Sequence, residues 1–142
     1  MTCIAVVDDD ASILSLMGAM ATDRGWEVVP STDSSTFFAA LAEERPDAVI
    51  VDLLLPAPDS GWDILERLKA DRAFGAIPVI VCSGDTYHLH ERQSMVDEYA
   101  SAVLVKPFDV DDFYRCVEHV LATSPLPQAR TERNRAGSTG VS

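Results

Sequence analysis

Acidic, hydroxyl and lysine side chains stand where four short apolar runs of this sequence end. Asp8 and Asp9 follow the first run, Asp52 closes another, and Ser83 and Lys106 stand at the ends of two more. Carboxylates brought together repel one another and call for a cation, and their hard oxygen atoms suit Mg²⁺. A carboxylate can also attack phosphorus to form an acyl phosphate, whose charge a metal ion and Lys106 would stabilise. These residue types therefore predict magnesium-dependent phosphoryl transfer, in which the Ser83 hydroxyl donates a hydrogen bond to the transferred group.

Each of these residues also has a purely structural interpretation. Acidic residues 8–10 precede a helical pattern, where carboxylates complement the helix dipole. Ser83 alone is typical of a turn, and Lys106 with Pro107 is typical of a loop start. Asp52 fits a structural role poorly, because it directly follows the apolar run AVIV. Random placement rarely puts four such groups at one edge of a sheet, so their convergence favours a functional site.

Short apolar runs alternate with helical patterns from the start of the sequence to about residue 121. Five strands are predicted, over Cys3–Val7, residues 26–30, 48–53 and 77–82, and Ala102–Val105. Amphipathic stripes between them predict helices, the weakest over residues 86–99. Ser60 with Asp63, and Asp109 with Asp112, have the spacing of capping boxes. The alternation predicts an α/β domain with a parallel sheet, in which the carboxyl ends of the strands form one edge.

The chain carries 23 acidic and 11 basic residues, which gives a net charge of -12 at neutral pH. Because a basic surface is lacking, direct binding to nucleic acid or to an anionic membrane is disfavoured. No apolar run reaches the roughly 18 residues that a membrane-spanning helix needs. Cys3, Cys82 and Cys116 are widely spaced among apolar neighbours, which indicates free thiols in a reducing compartment. We therefore expect a cytoplasmic protein.

The composition of the chain changes after residue 123. Residues 124–142 contain two prolines, three arginines and no hydrophobic periodicity. Such a segment cannot bury enough apolar surface to fold by itself. We expect residues 1–123 to form one domain and residues 124–142 to form a disordered tail.

Four motifs carry the residues named above, in this order: VVDDD at residues 6–10, VIVDLLLP at 49–56, VIVCSG at 79–84 and VLVKPF at 103–108. Together they resemble the receiver domain of bacterial two-component response regulators, over the chain from Cys3 to about Leu121. The resemblance implies a flavodoxin-like (βα)5 doubly wound fold, an α/β sandwich whose five-stranded parallel sheet has the order 2-1-3-4-5. Because we see no second domain in the sequence, we expect a stand-alone receiver that acts by binding partners.

The resemblance assigns a role to each acidic residue of the predicted site. Asp52 would be the phosphoacceptor. Asp9, Asp52 and the backbone carbonyl of Leu54 would hold Mg²⁺, and Asp8 would assist through a water molecule. The bound phosphoryl group would therefore lie beside the metal ion, at the end of the third strand.

The resemblance also assigns the hydroxyl, the lysine and the partners. Ser83 would occupy the family's hydroxyl position, and Lys106 would contact the phosphoryl group. The peptide bond between Lys106 and Pro107 would be cis, as is usual in the family. The donor would be a phosphohistidine on a sensor histidine kinase or a phosphotransfer protein. A downstream protein target would bind the face formed by residues 86–99, the last strand and the final helix. The domain would be no enzyme beyond its own phosphorylation and dephosphorylation.

Three features depart from the usual family pattern. Val103 stands where an aromatic residue is usual, which puts in question the family's coupling of hydroxyl and aromatic rotamers. The loop PAPDSG that follows the third strand is one residue longer than usual. Leu54 and Asp85 lie at positions that tune the lifetime of the phosphoryl group in the family. An apolar Leu54 would hinder attack by water, whereas Asp85 adds negative charge nearby.

Three other functions fit parts of the pattern. A phosphohydrolase with an aspartyl-phosphate intermediate would need a cap domain and a second acid two residues after the nucleophile, where Leu54 stands. A flavin-binding domain of the same strand order would need a phosphate loop after the first strand, where acidic residues 8–10 would repel phosphate. A pseudo-receiver binds partners without being phosphorylated, but it usually lacks an acid or the lysine, and both are present here.

Overall fold

Five parallel strands form a single sheet in the order β2-β1-β3-β4-β5. The computed structural model describes residues 1–56 and 60–123, without the side chain of residue 88. The strands are β1 (Cys3–Val7), β2 (Glu27–Ser31), β3 (Ala48–Asp52), β4 (Val79–Ser83) and β5 (Ala102–Val105). The order and the parallel pairing confirm the predicted flavodoxin-like fold.

Helices cover both faces of this sheet. They are α1 (Ala11–Asp23), α2 (Ser34–Glu44), α3 (Gly61–Ala70), α4 (Thr86–Glu91), α5 (Gln93–Tyr99) and α6 (Val110–Ala122). The two predicted capping boxes are present, since Ser60 with Asp63 begins α3 and Asp109 with Asp112 begins α6. Each box satisfies backbone N–H groups that the first helical turn leaves without a partner.

The core consists of two apolar layers, one on each side of the sheet. Side chains alternate between the layers along each strand, so that Ala5 and Val7 join one layer while Ile4 and Val6 join the other. The first layer packs against α2, α3 and α5, and the second packs against α1 and α6. Burial on both faces explains why the central strands are continuous apolar runs rather than alternating ones.

The prediction of one continuous helix over residues 86–99 is wrong, because two short helices occupy this segment. The chain leaves helical geometry at Arg92, whose ψ is 35°, and this break separates α4 from α5. Among the side chains of these two short helices that the structure describes, only Leu89 and Val96 are buried, because the apolar pattern there is dilute. The strand predicted over residues 26–30 is shifted by one residue and ends at Ser31.

Two further features bear on the predictions from the sequence. The peptide bond between Lys106 and Pro107 is cis, as the resemblance implied. Within residues 1–56 and 60–123, no helix has the length and hydrophobicity to cross a membrane.

Candidate functional site

The predicted site residues all lie at the carboxyl edge of the sheet. Asp52 and Ser83 are the last residues of β3 and β4. Asp8 and Asp9 directly follow β1, and Lys106 directly follows β5. Because the strands are parallel and in register, chain segments up to 98 residues apart meet at this edge.

Three carboxylates form the centre of the site. Oxygen atoms of Asp8, Asp9 and Asp52 lie within 4.8 Å of one another. The Asp8 and Asp52 side chains are buried, with only 1% and 3% of their residue surfaces exposed, whereas Asp9 is exposed. Backbone N–H groups support the buried pair, since Asp10 donates to Asp8 Oδ1 at 2.9 Å and Leu54 donates to Asp52 Oδ1 at 3.1 Å. A cluster of hard oxygen ligands beside open solvent fits a hydrated magnesium ion.

The three acidic residues before α1, residues 8–10, have different roles. Asp10 is the N-cap, and its side chain accepts a hydrogen bond from the Ser12 N–H at 2.9 Å. The capping interpretation therefore applies to Asp10, and it leaves Asp8 and Asp9 for the site. Asp8 is further fixed by its own N–H, which donates to the Ser31 carbonyl at 3.0 Å.

Lys106 supplies the positive charge of the site. Its Nζ lies 2.9 Å from Asp8 Oδ2 and 3.6 Å from Asp52 Oδ2. Burial alone would lower the pKa of Lys106, but the hydrogen bond to Asp8 and the charges of Asp52 and Asp8 outweigh it and raise that pKa. The lysine therefore stays charged across the physiological pH range.

Burial is the main cause that raises the pKa of the Asp52 carboxyl, and the negative charge of Asp8 adds to it. The Leu54 N–H and Lys106 oppose this rise without cancelling it. A raised pKa means that the charged form of Asp52 is destabilised by its surroundings. A further cation at the site would relieve this destabilisation.

Ser83 completes the group of predicted residues. Its side chain is buried, and its Oγ accepts a hydrogen bond from the Asp85 N–H at 3.0 Å. This bond ties the hydroxyl to the loop that enters α4. A displacement of the Ser83 hydroxyl would therefore also displace the backbone at the start of α4.

The sequence analysis missed Gly61. A Cβ atom at this position would lie 2.2 Å from the Asp52 carbonyl oxygen and 2.4 Å from Leu53 Cα. Only glycine lets the first turn of α3 pass this close to the end of β3. The signal in the sequence was a glycine placed directly after the helix cap Ser60.

The positions that depart from the family pattern also have structural counterparts. Val103 lies on β5 with 39% of its surface exposed, and the Leu54 side chain beside the site is 51% exposed. The Leu54 carbonyl remains a predicted metal ligand. Of the two residues taken as additions to the loop after β3, Pro58 lies outside the described residues, and Ser60 is the N-cap of α3.

Comparison with known proteins gives the chain a family. Residues 4–118 match the model of the response regulator receiver domain. The chain belongs to this family. The predicted resemblance is thus confirmed, and it favours a receiver over a phosphohydrolase or a flavin-binding domain. Receiver domains are generally non-enzymatic signalling domains.

Two curated relatives show how the similarity is distributed. The DNA-binding dual master transcriptional regulator RpaA of Synechocystis sp. is 30% identical over 127 residues, covering 89% of this chain and 52% of that protein. The transcriptional regulatory protein KdpE of Mycobacterium tuberculosis is 37% identical over 113 residues, covering 80% and 48%. The chain thus spans about half the length of these relatives.

Solved structures agree on the fold. The receiver domain of NtrX from Brucella abortus has a TM-score of 0.77 and 28% identity, and the match covers 85% of this chain and 99% of that one. The chemotaxis response regulator CheY4 of Vibrio cholerae has a TM-score of 0.76 at 23% identity, covering 84% and 98%. The second likeness concerns the fold alone.

Proposed function

We propose that this receiver is a phosphorylation switch in which Asp52 accepts a phosphoryl group. The donor is a phosphohistidine on a sensor histidine kinase or a phosphotransfer protein. The observation that carries the proposal is the meeting of Asp8, Asp9, Asp52 and Lys106 at one edge of the sheet. A structural ion pair would not need three carboxylates beside one lysine, because two of the three repel each other without compensation.

The residues divide the work of the transfer. A carboxylate oxygen of Asp52 forms the new bond to phosphorus as the bond from phosphorus to the histidine nitrogen breaks. Asp8 and Asp9, with Asp52 and the Leu54 carbonyl, would hold Mg²⁺, which when bound offsets the negative charge of the carboxylates and the phosphoryl oxygens. Lys106 lies within reach of Asp52 and would contact the transferred group.

The output begins at Ser83. Its hydroxyl would donate a hydrogen bond to a phosphoryl oxygen, a bond that exists only in the modified state and so shifts the equilibrium between two conformations. The bond from the Asp85 N–H connects this change to α4. We define α4, α5, β5 and α6 as the partner face, which would bind a downstream protein.

The net charge of the chain is -12, which disfavours direct contact with nucleic acid or with an anionic membrane. A cytoplasmic location fits this role.

The alternative is a pseudo-receiver that binds partners without phosphorylation. Val103 favours the pseudo-receiver, because it replaces the aromatic residue that usually takes part in the family's output mechanism. The intact carboxylates and lysine favour the phosphorylated switch. The two proposals differ in one property, the capacity of Asp52 to take up a phosphoryl group.

Asp9→Asn is expected to weaken Mg²⁺ binding by about tenfold or more, because it removes an anionic ligand from the cluster. Isothermal titration calorimetry with MgCl2 measures the change in Kd. The matched control is Asp10→Asn, which removes the same charge one residue away, while asparagine still caps α1. Equal weakening in both variants would mean that long-range charge, and not ligation by Asp9, controls the affinity.

A further inference from the structure

The side chain of Arg92 lies over the ring of Trp62. Its Cζ atom is 4.8 Å from the centre of the ring, which is within the range of a cation–π contact. Arg92 is exposed and separates α4 from α5, whereas Trp62 is buried in the apolar layer that packs against α2, α3 and α5. The contact therefore joins the break between two short helices to the core beneath them.

The backbone around Arg92 has no residue that usually breaks a helix. Neither glycine nor proline occurs in residues 86–99, and arginine is a good helix former. Arg92 is the N-cap of α5, a position that favours side-chain acceptors, and its side chain forms no capping hydrogen bond. The cause of the break must therefore be sought in the surroundings of the Arg92 side chain.

The position of Arg92 relative to the apolar residues explains the break. Leu89 and Val96 are seven residues apart, so one continuous helix would place them on the same face, with Arg92 between them. Both apolar side chains are buried, so this face is the one toward the core. A guanidinium there would lose its hydration, at a high cost in free energy. The break lets Arg92 leave the apolar face and lie over Trp62 in contact with solvent.

This segment thus has two arrangements open to it. In the described one, the Arg92 carbonyl accepts the Met95 and Val96 N–H groups at 3.0 Å each and begins a separate α5. The first turn of such a helix leaves the Gln93 and Ser94 N–H groups without a helical partner. In a continuous helix, these two groups would bond the carbonyls four residues earlier. The cation–π contact belongs to the first arrangement and favours it.

Both ends of α4 are connected to the phosphoryl site. At its start, Ser83 Oγ accepts a backbone N–H from the loop that enters α4. At its end, Arg92 lies over Trp62. Gly61, the residue before Trp62, packs closely on the Asp52 carbonyl. α4 has 6 residues, a length of about 9 Å at about 1.5 Å per residue, so a shift at its start also moves its end.

We propose that Arg92 and Trp62 form a latch that keeps residues 86–99 as two helices, and that opening the latch joins α4 and α5 into one helix. Both helices belong to the partner face, so the latch controls the shape of that face. A phosphoryl group on Asp52 that draws the Ser83 hydroxyl away from the loop would move α4 and pull Arg92 off the ring. A contact that is lost on phosphorylation opposes phosphorylation to the same extent. The coupling to Asp52 rests on the proposed function, whereas the latch itself does not.

Amide hydrogen exchange, resolved by residue with NMR, tests the latch in the full chain without a phosphodonor. Arg92→Met keeps a good helix former, removes the cation–π contact and replaces a charged side chain by one that the apolar face accepts. Exchange of the Gln93 and Ser94 amides is expected to slow by about fivefold or more, and the Cα chemical shifts there are expected to become helical. Arg92→Lys keeps the cation and is expected to behave like the unaltered chain.

Arg67→Met is the matched control, because Arg67 Cζ lies 3.9 Å from the centre of the Phe38 ring, in a contact of the same kind between α3 and α2. This variant is expected to leave exchange at Gln93 and Ser94 unchanged. Equal exchange of these amides in Arg92→Met and in the unaltered chain would overturn the latch. Equal slowing in Arg92→Met and Arg67→Met would also overturn it, since loss of positive charge anywhere would then be the cause.

Phosphoryl incorporation from acetyl phosphate with Mg²⁺ tests the coupling separately. Arg92→Met is expected to incorporate the group at least about twofold faster than Arg67→Met, because the contact that opposes the change is gone and an exposed contact of this kind shifts an equilibrium by about two- to fivefold. Equal rates in the two variants would overturn the coupling. If the unaltered chain and both variants stay unmodified, the proposed function fails, and the exchange of the Gln93 and Ser94 amides still decides whether the latch exists.

Discussion

Replacing Lys106 by methionine is expected to slow phosphoryl incorporation by about a hundredfold or more. The Lys106 Nζ lies 2.9 Å from Asp8 and 3.6 Å from Asp52, so under the proposed function it would offset the charge that develops on the transferred group. Methionine keeps the unbranched shape and most of the length of the lysine side chain, and it removes the charge. The buried carboxylates would then face the incoming phosphoryl group without this compensation.

The rate is measured by intact mass over time, with a small acyl phosphate donor and saturating Mg²⁺. Lys69→Met is the matched control, because Lys69 is also partly buried but lies in α3 and donates to the Gly75 carbonyl at 3.2 Å. Circular dichroism shows whether both variants are folded. Similar rates for Lys106→Met and Lys69→Met would show that Lys106 holds Asp8 in place without assisting the transfer.

Gly61→Ala is expected to destabilise the domain by about 1–3 kcal/mol, because the added methyl group would overlap the backbone of β3. The Asp52 carbonyl oxygen and Leu53 Cα would lie 2.2 and 2.4 Å from the new Cβ, so the strand end or the helix start must move. A shift at the end of β3 also displaces Asp52. Phosphoryl incorporation is therefore expected to slow in the same variant.

Urea unfolding measures the change in the free energy of unfolding. Gly18→Ala is the matched control, since a Cβ there would meet no described atom within 4 Å apart from the adjoining backbone of α1, inside which the position lies. Alanine in a helix interior is expected to stabilise the domain by about 0.5–1 kcal/mol. Opposite signs for the two substitutions are predicted. A Gly61→Ala domain as stable as the unaltered one would contradict the close approach of α3 to β3.

Much of the fold could be predicted from the sequence because its signals are local and strong. Continuous apolar runs mark strands that are buried on both faces, and β1 and β5 were located to the residue. The capping pairs fixed the starts of α3 and α6, since each depends on two residues three positions apart. The meeting of Asp52 with Lys106 followed from the rule that parallel strands share a carboxyl edge.

Other features depend on distances that no local pattern encodes. The sequence placed Lys106 near the transferred group, but only the structure shows that its shorter contact is with Asp8. The break at Arg92 was missed, because a dilute apolar stripe looks the same in one helix or two. Gly61 was missed because the atoms that leave no room for a side chain there belong to Asp52, the last residue of β3, and to Leu53, which follows it.

The central claim is that Asp52 is the phosphoacceptor, and intact mass spectrometry tests it most directly. The full chain is incubated with acetyl phosphate, with and without Mg²⁺, beside Asp52→Asn, which keeps the shape of the side chain and removes the nucleophilic carboxylate. The account predicts a gain of one phosphoryl group that requires Mg²⁺ and is absent from Asp52→Asn. A phosphoryl group retained by Asp52→Asn would contradict the assignment of the site. An unmodified native chain, under conditions that modify another receiver, would contradict the switch and favour the pseudo-receiver.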